Sequence, residues 1–550
     1  MAAGSALRSW CVPAAMLVLL CLHGVLRSHG IAKSYPYPIY VDECYVAHRA
    51  QEMYREHTLD PRRYDYNPLL ATAIDAAMRL VVLARGDDAQ AFRRSIKYVP
   101  RSPFGRRPAS ETVASDQIVD PPEFLLVGRA LVAIAGTLSI WLVYLLLREL
   151  LPAWVAVLGS AWFGAIPTLV LYSQFVVNDV PMMLAYTAVF WCSGRWWRTG
   201  DDRFIYAAGA LAGAACGFKT TAVLALGLPM LCIAVRRCSL RRKLALLVLL
   251  PLLAALTFHG LCPAMIGKHR EILANLLAQQ KYYREAYPLV SVSSLDHLRS
   301  TQAFGVAPLV LAALGMVGAL LRREARAIIL IMLAYTIAFV AFFSRYTFQP
   351  VRSLLPIFPL VVLLAIHGLF SLVRVLCRDR ARITHALAVG LVLALAAGFS
   401  LRALGAERTF LAGADSRIRI TTWLARHVPP EHRVAVPAAL ALHPRAVAAA
   451  HLAIDAVEGE DRARFLAAPW VVIPAVTAAG NSGGARFFAE LRAALEAEAR
   501  TPVLTVGSRP ITADEHHWWG PHTELVIYGP PPRGGDGGRA PRPSLHGERR

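Results

Sequence analysis

Residues 236–262 read RRCSLRRK followed by LALLVLLPLLAALTFHGLC. A basic cluster runs straight into an apolar run that holds no Asp, Glu, Lys or Arg. A helix of about 20 apolar residues spans a bilayer, and a Lys/Arg-rich flank marks the end that stays in the cytoplasm. The same alternation repeats along the chain. Runs near 10–27, 124–147, 152–172, 180–194, 204–218, 220–235, 244–262, 304–321, 327–343, 353–373 and 384–403 give about eleven spans by that length criterion. With the N-terminus inside, the inner loops hold Arg148; Arg195, Arg198 and Arg203; Arg236, Arg237, Arg241, Arg242 and Lys243; Arg322, Arg323 and Arg326; and Arg374, Arg378, Arg380 and Arg382. The short outer connectors hold only Lys219, Arg345 and Arg352. Shifting the count by one span destroys this pattern.

Composition agrees. The 550 residues are 56% hydrophobic and 17% charged, against about 25% charged in an average soluble domain. The expected fold class is a polytopic α-helical membrane protein with a C-terminal extracytoplasmic α/β domain. The formal charge of +21 lies largely in the inner loops, so topology explains it and a nucleic-acid partner is not expected. The nine cysteines form no CxxC pair and no zinc spacing. The first run reads as an uncleaved helix because Leu-Arg-Ser-His-Gly after it lacks a small-x-small cleavage site.

The expected organisation is a membrane catalytic domain at 1–403 with a large first outer loop at 28–123, an extracytoplasmic α/β domain at 404–528 and a disordered tail at 529–550. In the loop, Cys44–Glu56 and Asn67–Leu83 read as helices, the second amphipathic enough for the membrane interface. In the C-terminal domain, Arg417–His427 and Ala485–Ala499 read as helices and Arg433–Pro437, Trp470–Pro474 and Leu525–Tyr528 as strands. Gly209, Gly213 and Gly217 form a small-xxx-small face suited to close helix packing.

A few polar residues stand out against this background. Asp42 and Glu43 adjoin each other just past the first span. They serve either chemistry or the start of the helix that follows, since acids favour helix N-termini. Asp179, in YSQFVVNDVP, offers the same two readings, with Pro181 suited to a first helical turn. Lys219 closes a short span in GFKTT, where it either snorkels or meets a phosphate. Arg345 and Arg352 in SRYTFQPVRS share the second option, because outer loops normally avoid cations. Tyr172, Tyr346 and Phe348 read as interfacial aromatics. His516, His517, Trp518 and Trp519 read as a loop packed on its own domain. There is no P-loop, no GxGxxG after a strand, no HExxH and no GxSxG elbow.

Four stretches together resemble the GT-C polyprenyl-phosphate-dependent glycosyltransferases, in the protein O-mannosyltransferase and aminoarabinose transferase group. They are Val41-Asp42-Glu43 with Leu59-Asp60-Pro61-Arg62-Arg63-Tyr64-Asp65-Tyr66-Asn67-Pro68-Leu69; Arg129 with Tyr172-Ser173-Gln174-Phe175 and Asp179-Val180-Pro181; Gly209 through Lys219-Thr220; and Arg345-Tyr346 with Arg352-Ser353-Leu354-Leu355-Pro356-Ile357-Phe358-Pro359. The likeness covers roughly residues 10–400. Asn67 departs from it, because relatives usually place Tyr or another residue before that Pro.

The resemblance implies an inverting membrane glycosyltransferase with its active site on the extracytoplasmic face. The donor would be a sugar on a polyprenyl phosphate and the acceptor a lipid, glycan or protein. It implies Asp42 as general base, Glu43 and Asp179 as positioning acids, Lys219, Arg345 and Arg352 as ligands of the donor phosphate, no cofactor and no obligatory metal. The location would be the inner or plasma membrane of a bacterium. A transporter or flippase for a polyprenyl-linked or anionic substrate is the competing class. Against it, no repeated halves are visible, and the charged set lies at span ends and not at mid-membrane.

Overall fold

The computed structural model describes residues 2–38, 40–61, 67–96, 118–285, 294–300, 303–321, 326–346, 351–377, 381–412, 415–437, 442–443, 447–448, 450–457, 461–474, 483–506 and 525–530. His516–Trp519, Phe348, most of the first-loop tail and most of 529–550 lie outside them. The chain forms two compact units. One comprises Met1–Ile31, Arg49–Arg94 and Phe124–Arg408, the other Ala32–His48, Ser95–Glu123 and Thr409–Arg550.

The first unit is helical. Cys11–Ser28, Glu123–Arg148, Leu240–Leu261, Val351–Leu376 and Ala386–Gly405 are each long and apolar enough to cross a membrane. This is an integral membrane protein. The other six expected spans are helical, but shorter, more polar or broken. The run expected as one helix over 152–172 is two, Ala153–Gly164 and Pro167–Tyr172. Pro167 has no N–H to donate and pushes the residue before it out of the helical region, and Ile166 is extended at ψ 119°. On Leu240–Leu261, Val248 (69% exposed) and Leu256 (61%) stand on an uncovered apolar stripe. In water such a stripe is unfavourable; against lipid tails it is at rest.

Basic flanks gather at one end of the bundle. Glu149 pairs with Arg195 at 3.5 Å and Arg198 at 2.9 Å. Asp202 accepts from Arg242 at 2.7 Å, and Arg236 donates to the Trp196 carbonyl and stacks on its ring. These contacts bring together loops that the arginine pattern assigns to one side. Gly200, between the helices Asp179–Thr199 and Asp202–Phe218, sits at φ +76°, a left-handed conformation that favours glycine. It turns the chain into an antiparallel helical hairpin.

The glycine stripe then lets Asp202–Phe218 press onto Leu240–Leu261. A Cβ on Gly213 would lie 2.1 Å from the Ala254 carbonyl oxygen, a backbone atom that cannot step aside. Gly213→Ala is therefore expected to lower stability by about 1–3 kcal/mol, the usual range for overpacking. A thermal melt in detergent indistinguishable from wild type would contradict that packing.

The second unit is built on a five-stranded sheet of order β2-β1-β3-β5-β4, with β1 Arg433–Pro437, β2 Ala453–Val457, β3 Trp470–Pro474, β4 Pro502–Val506 and β5 Leu525–Tyr528. β2, β1 and β3 run parallel, whereas β5 is antiparallel to both β3 and β4. Side chains alternate across the pleat. Val434, Val436, Val472, Leu525 and Ile527 face the helix Ser416–His427 through Ile420 and Leu424. Ala435, Val471, Ile473, Val526 and Tyr528 face the helices Arg462–Ala467 and Gly483–Ala497 through Phe465, Phe488 and Leu491.

An arginine ties the segment 32–48 into this unit. Arg417 is fully buried, chelates Asp415 at 2.8 and 3.1 Å, donates to the Pro38 carbonyl at 2.8 Å and lies 4.5 Å over the Tyr37 ring. Burial alone would lower the Arg417 pKa; the Asp415 carboxylate outweighs it and raises it. Burial raises the Tyr37 phenol above its usual range.

Candidate active site

The helical hairpin explains why two residues far apart in sequence meet. Asp179 begins its first helix and Lys219 follows the end of its second, so the antiparallel turn returns the chain to the same end. That end is opposite the one where Glu149, Arg195 and Arg198 pair. Asp179 occupies the first turn of Asp179–Thr199, where a carboxylate is favoured by the helix dipole. Lys219 is extended at φ −155°, ψ 132°, the joint between Asp202–Phe218 and the 3-10 helix Thr220–Leu226. Its Nζ donates to Asp179 Oδ1 at 3.0 Å; Asp179 is buried, at 2% exposure, and Lys219 half-buried, at 12%.

Arg352 reaches the same carboxylate from a third element. It lies in the 3-10 helix Val351–Ile357, whose Leu354, Leu355, Pro356 and Ile357 are all buried. Its Nε is 3.8 Å from Asp179 Oδ2. One carboxylate thus faces two cations in a poorly solvated setting, where charge interactions are stronger than in water. An ammonium has three donors. Among the described residues, Lys219 uses one on Asp179 and has no protein acceptor for the other two.

The joint that carries Lys219 is held from several directions. The Tyr186 hydroxyl donates to the Thr221 carbonyl at 3.5 Å and the Tyr335 hydroxyl to the Leu224 carbonyl at 3.1 Å. Asn67, buried at 3% exposure, donates through its amide to the Cys216 carbonyl and accepts from the Thr220 hydroxyl at 3.3 Å.

The six site residues expected from sequence divide as follows. Asp179, Lys219 and Arg352 come together. Arg345 is exposed, two residues before 347–350, which lie outside the described set. Asp42 and Glu43 belong to the other unit, both buried, in the first turn of the helix Val41–Glu56. The Glu43 carboxylate accepts from the Tyr40 backbone N–H at 3.1 Å. A third helical residue reaching back to the residue before the helix is half of a capping box, so the structural use expected of this acid pair falls on Glu43.

Sequence reasoning missed Arg27, which is fully buried and donates to the Gly164 carbonyl at 2.8 Å and the His23 carbonyl at 3.3 Å. Its place in a span flank hid it. It also missed the bracing at Asn67, for which an Asn-Pro pair heading a helix was the available signal.

The model of the dolichyl-phosphate-mannose-protein mannosyltransferase family matches residues 125–260, which carry Asp179 and Lys219. No curated protein matches the chain in sequence. Among solved structures, the chain is similar to ArnT from Cupriavidus metallidurans bound to undecaprenyl phosphate, with TM-score 0.51 and 14% identity over 96% of this chain and 98% of that one. The apo state of the same protein gives TM-score 0.48 and 14% identity over 95% and 98%. The apo oligosaccharyltransferase of Archaeoglobus fulgidus gives 0.49 and 12% over 84% of this chain and 69% of that one. At 14% identity the likeness to the carrier-bound ArnT structure speaks for the fold alone.

Proposed function

The chain shares the fold of the GT-C glycosyltransferases, and from that premise we propose that it moves a sugar from a polyprenyl-phosphate carrier to an acceptor hydroxyl at the extracytoplasmic face of a plasma membrane. The observation that carries the reading is Lys219: a half-buried ammonium held by Asp179, with Arg352 on the same carboxylate and, among the described residues, two N–H donors without a protein acceptor. A phosphate monoanion or diester suits such donors, and charge-assisted bonds to it are strong. ArnT from Cupriavidus metallidurans binds undecaprenyl phosphate, a carrier of this class.

The reaction is a single displacement. The acceptor oxygen attacks the anomeric carbon as the bond from that carbon to the carrier phosphate breaks, and the configuration inverts. Asp42 takes the acceptor proton. Glu43 fixes the helix on which Asp42 stands. Lys219 and Arg352, with Arg345 as a further cation, take up the negative charge that grows on the leaving phosphate. Electrostatic stabilisation of this kind is commonly the largest contribution to catalysis. Asp179 holds Lys219 in place.

The purified full chain in nanodiscs, offered a panel of polyprenyl-phosphate sugars with candidate lipid, glycan and peptide acceptors, is expected to release free polyprenyl phosphate and form a glycoside of inverted configuration. Absence of release, together with movement of the intact lipid-linked sugar between leaflets of liposomes, would favour a flippase and overturn the reading.

A further inference from the structure

We propose that Asn67 is a positioning residue that fixes the orientation of Lys219, and through it the affinity for the carrier phosphate. The inference rests on the reading of Lys219 as a phosphate ligand. Lys219 stands at a discontinuity: the α-helix ends at Phe218, and a 3-10 helix starts at Thr220. Its backbone makes one hydrogen bond to each flanking segment, and on the far side its carbonyl accepts from the Ala222 N–H at 2.9 Å. Its N–H donates to the Ala215 carbonyl at 3.3 Å, a long bond. Asn67 bridges this gap, with one end of its amide on Cys216, before the joint, and the other on Thr220, after it. It is the type of group that can do this, since a primary amide both donates and accepts. An ionised aspartate cannot donate to the Cys216 carbonyl. Pro68, which follows, has φ −83° and leads directly into the helix Leu69–Arg85. The brace is therefore anchored to a regular element. Gly217 contributes by letting Leu69 and Cys262 approach, as a Cβ there would lie 2.8 Å from Leu69 Cδ2 and 3.3 Å from Cys262 Sγ.

Two readouts test the assignment on the full chain in nanodiscs. The first needs no ligand. Reductive ¹³C-methylation of the lysines gives a Lys219 signal, assigned by its loss in Lys219→Met. Asn67→Ala is expected to shift that signal and leave those of Lys243 and Lys268 in place. The second is binding of polyprenyl phosphate alone. Asn67→Ala is expected to weaken it about tenfold to a hundredfold, the range for removing a partner of a buried hydrogen bond. In the background Asp179→Asn with Lys219→Met it should weaken it no further, because residues acting through one another are non-additive. An unmoved Lys219 signal, or losses that add, would overturn the role of Asn67. If wild-type protein bound no carrier while Asn67→Ala still shifted the Lys219 signal, the phosphate reading would fail and the positioning of Lys219 by Asn67 would stand.

Discussion

Asp42→Asn is expected to slow sugar transfer by about 10²–10⁴-fold, the usual contribution of a general base, with donor KM little changed. The substitution keeps shape and most hydrogen-bonding capacity. Part of what it removes from the fold is the favourable placement of a buried carboxylate near a helix N-terminus, worth up to about 2 kcal/mol. The cap itself rests on Glu43, which holds the Tyr40 N–H. Glu43→Gln is the matched control, because glutamine serves the capping box as well as glutamate does; it should retain most of the activity. The pair separates the two uses of adjacent acids: chemistry at Asp42 and helix initiation at Glu43. Turnover near wild type in Asp42→Asn, with the protein folded, would remove the base assignment.

Lys219→Met is expected to lower kcat/KM for the donor by about 10²–10³-fold, as loss of one preorganised donor to developing charge does elsewhere. The single substitution carries a second effect. It takes one of two cations from buried Asp179, which keeps Arg352 at 3.8 Å, so the cost is expected to fall below about 3–5 kcal/mol, that of stranding a buried charge. Asp179→Asn combined with Lys219→Met removes the Asp179–Lys219 pair but takes from buried Arg352 the carboxylate it faces at 3.8 Å, so it is expected to be no more stable than Lys219→Met alone. The two variants should therefore share the kinetic defect. Wild-type kcat/KM in the double variant would show that the ammonium does not serve the phosphate.

Much of the fold was legible from pattern. Glu123–Arg148 and Leu240–Leu261 follow from apolar length and basic flanks. β1, β3 and β5 follow from Val/Ile-rich segments that alternate between two covered faces. β2 escaped because Ala453, Ile454 and Asp455 are only half-buried on a sheet edge, and β4 because it opens with Pro502, which also suits an edge. The helix His269–Glu285 escaped because Leu273 and Leu277 are its exposed apolar residues amid many polar ones, too weak a stripe to stand out. The break at Ile166-Pro167 was readable, and the apolar run around it masked it. At the site, Asp179, Lys219 and Arg352 could each be singled out as a charge where charge is unfavourable. Their meeting could not, because it depends on the hairpin turn at Gly200 and on a 3-10 helix delivered from far along the chain. Asn67 is the extreme instance: a neutral residue whose role exists only in the contacts that folding creates.

The account stands on recognition of a lipid-borne phosphate by Lys219 and its partners. Native mass spectrometry of the purified chain, titrated with polyprenyl phosphate and with the unphosphorylated polyprenol of equal length, tests this most directly. The account predicts retention of the phosphate form alone, strongly weakened but still measurable when Asp179→Asn and Lys219→Met are introduced together. Equal retention of alcohol and phosphate, or retention indifferent to those substitutions, would contradict it.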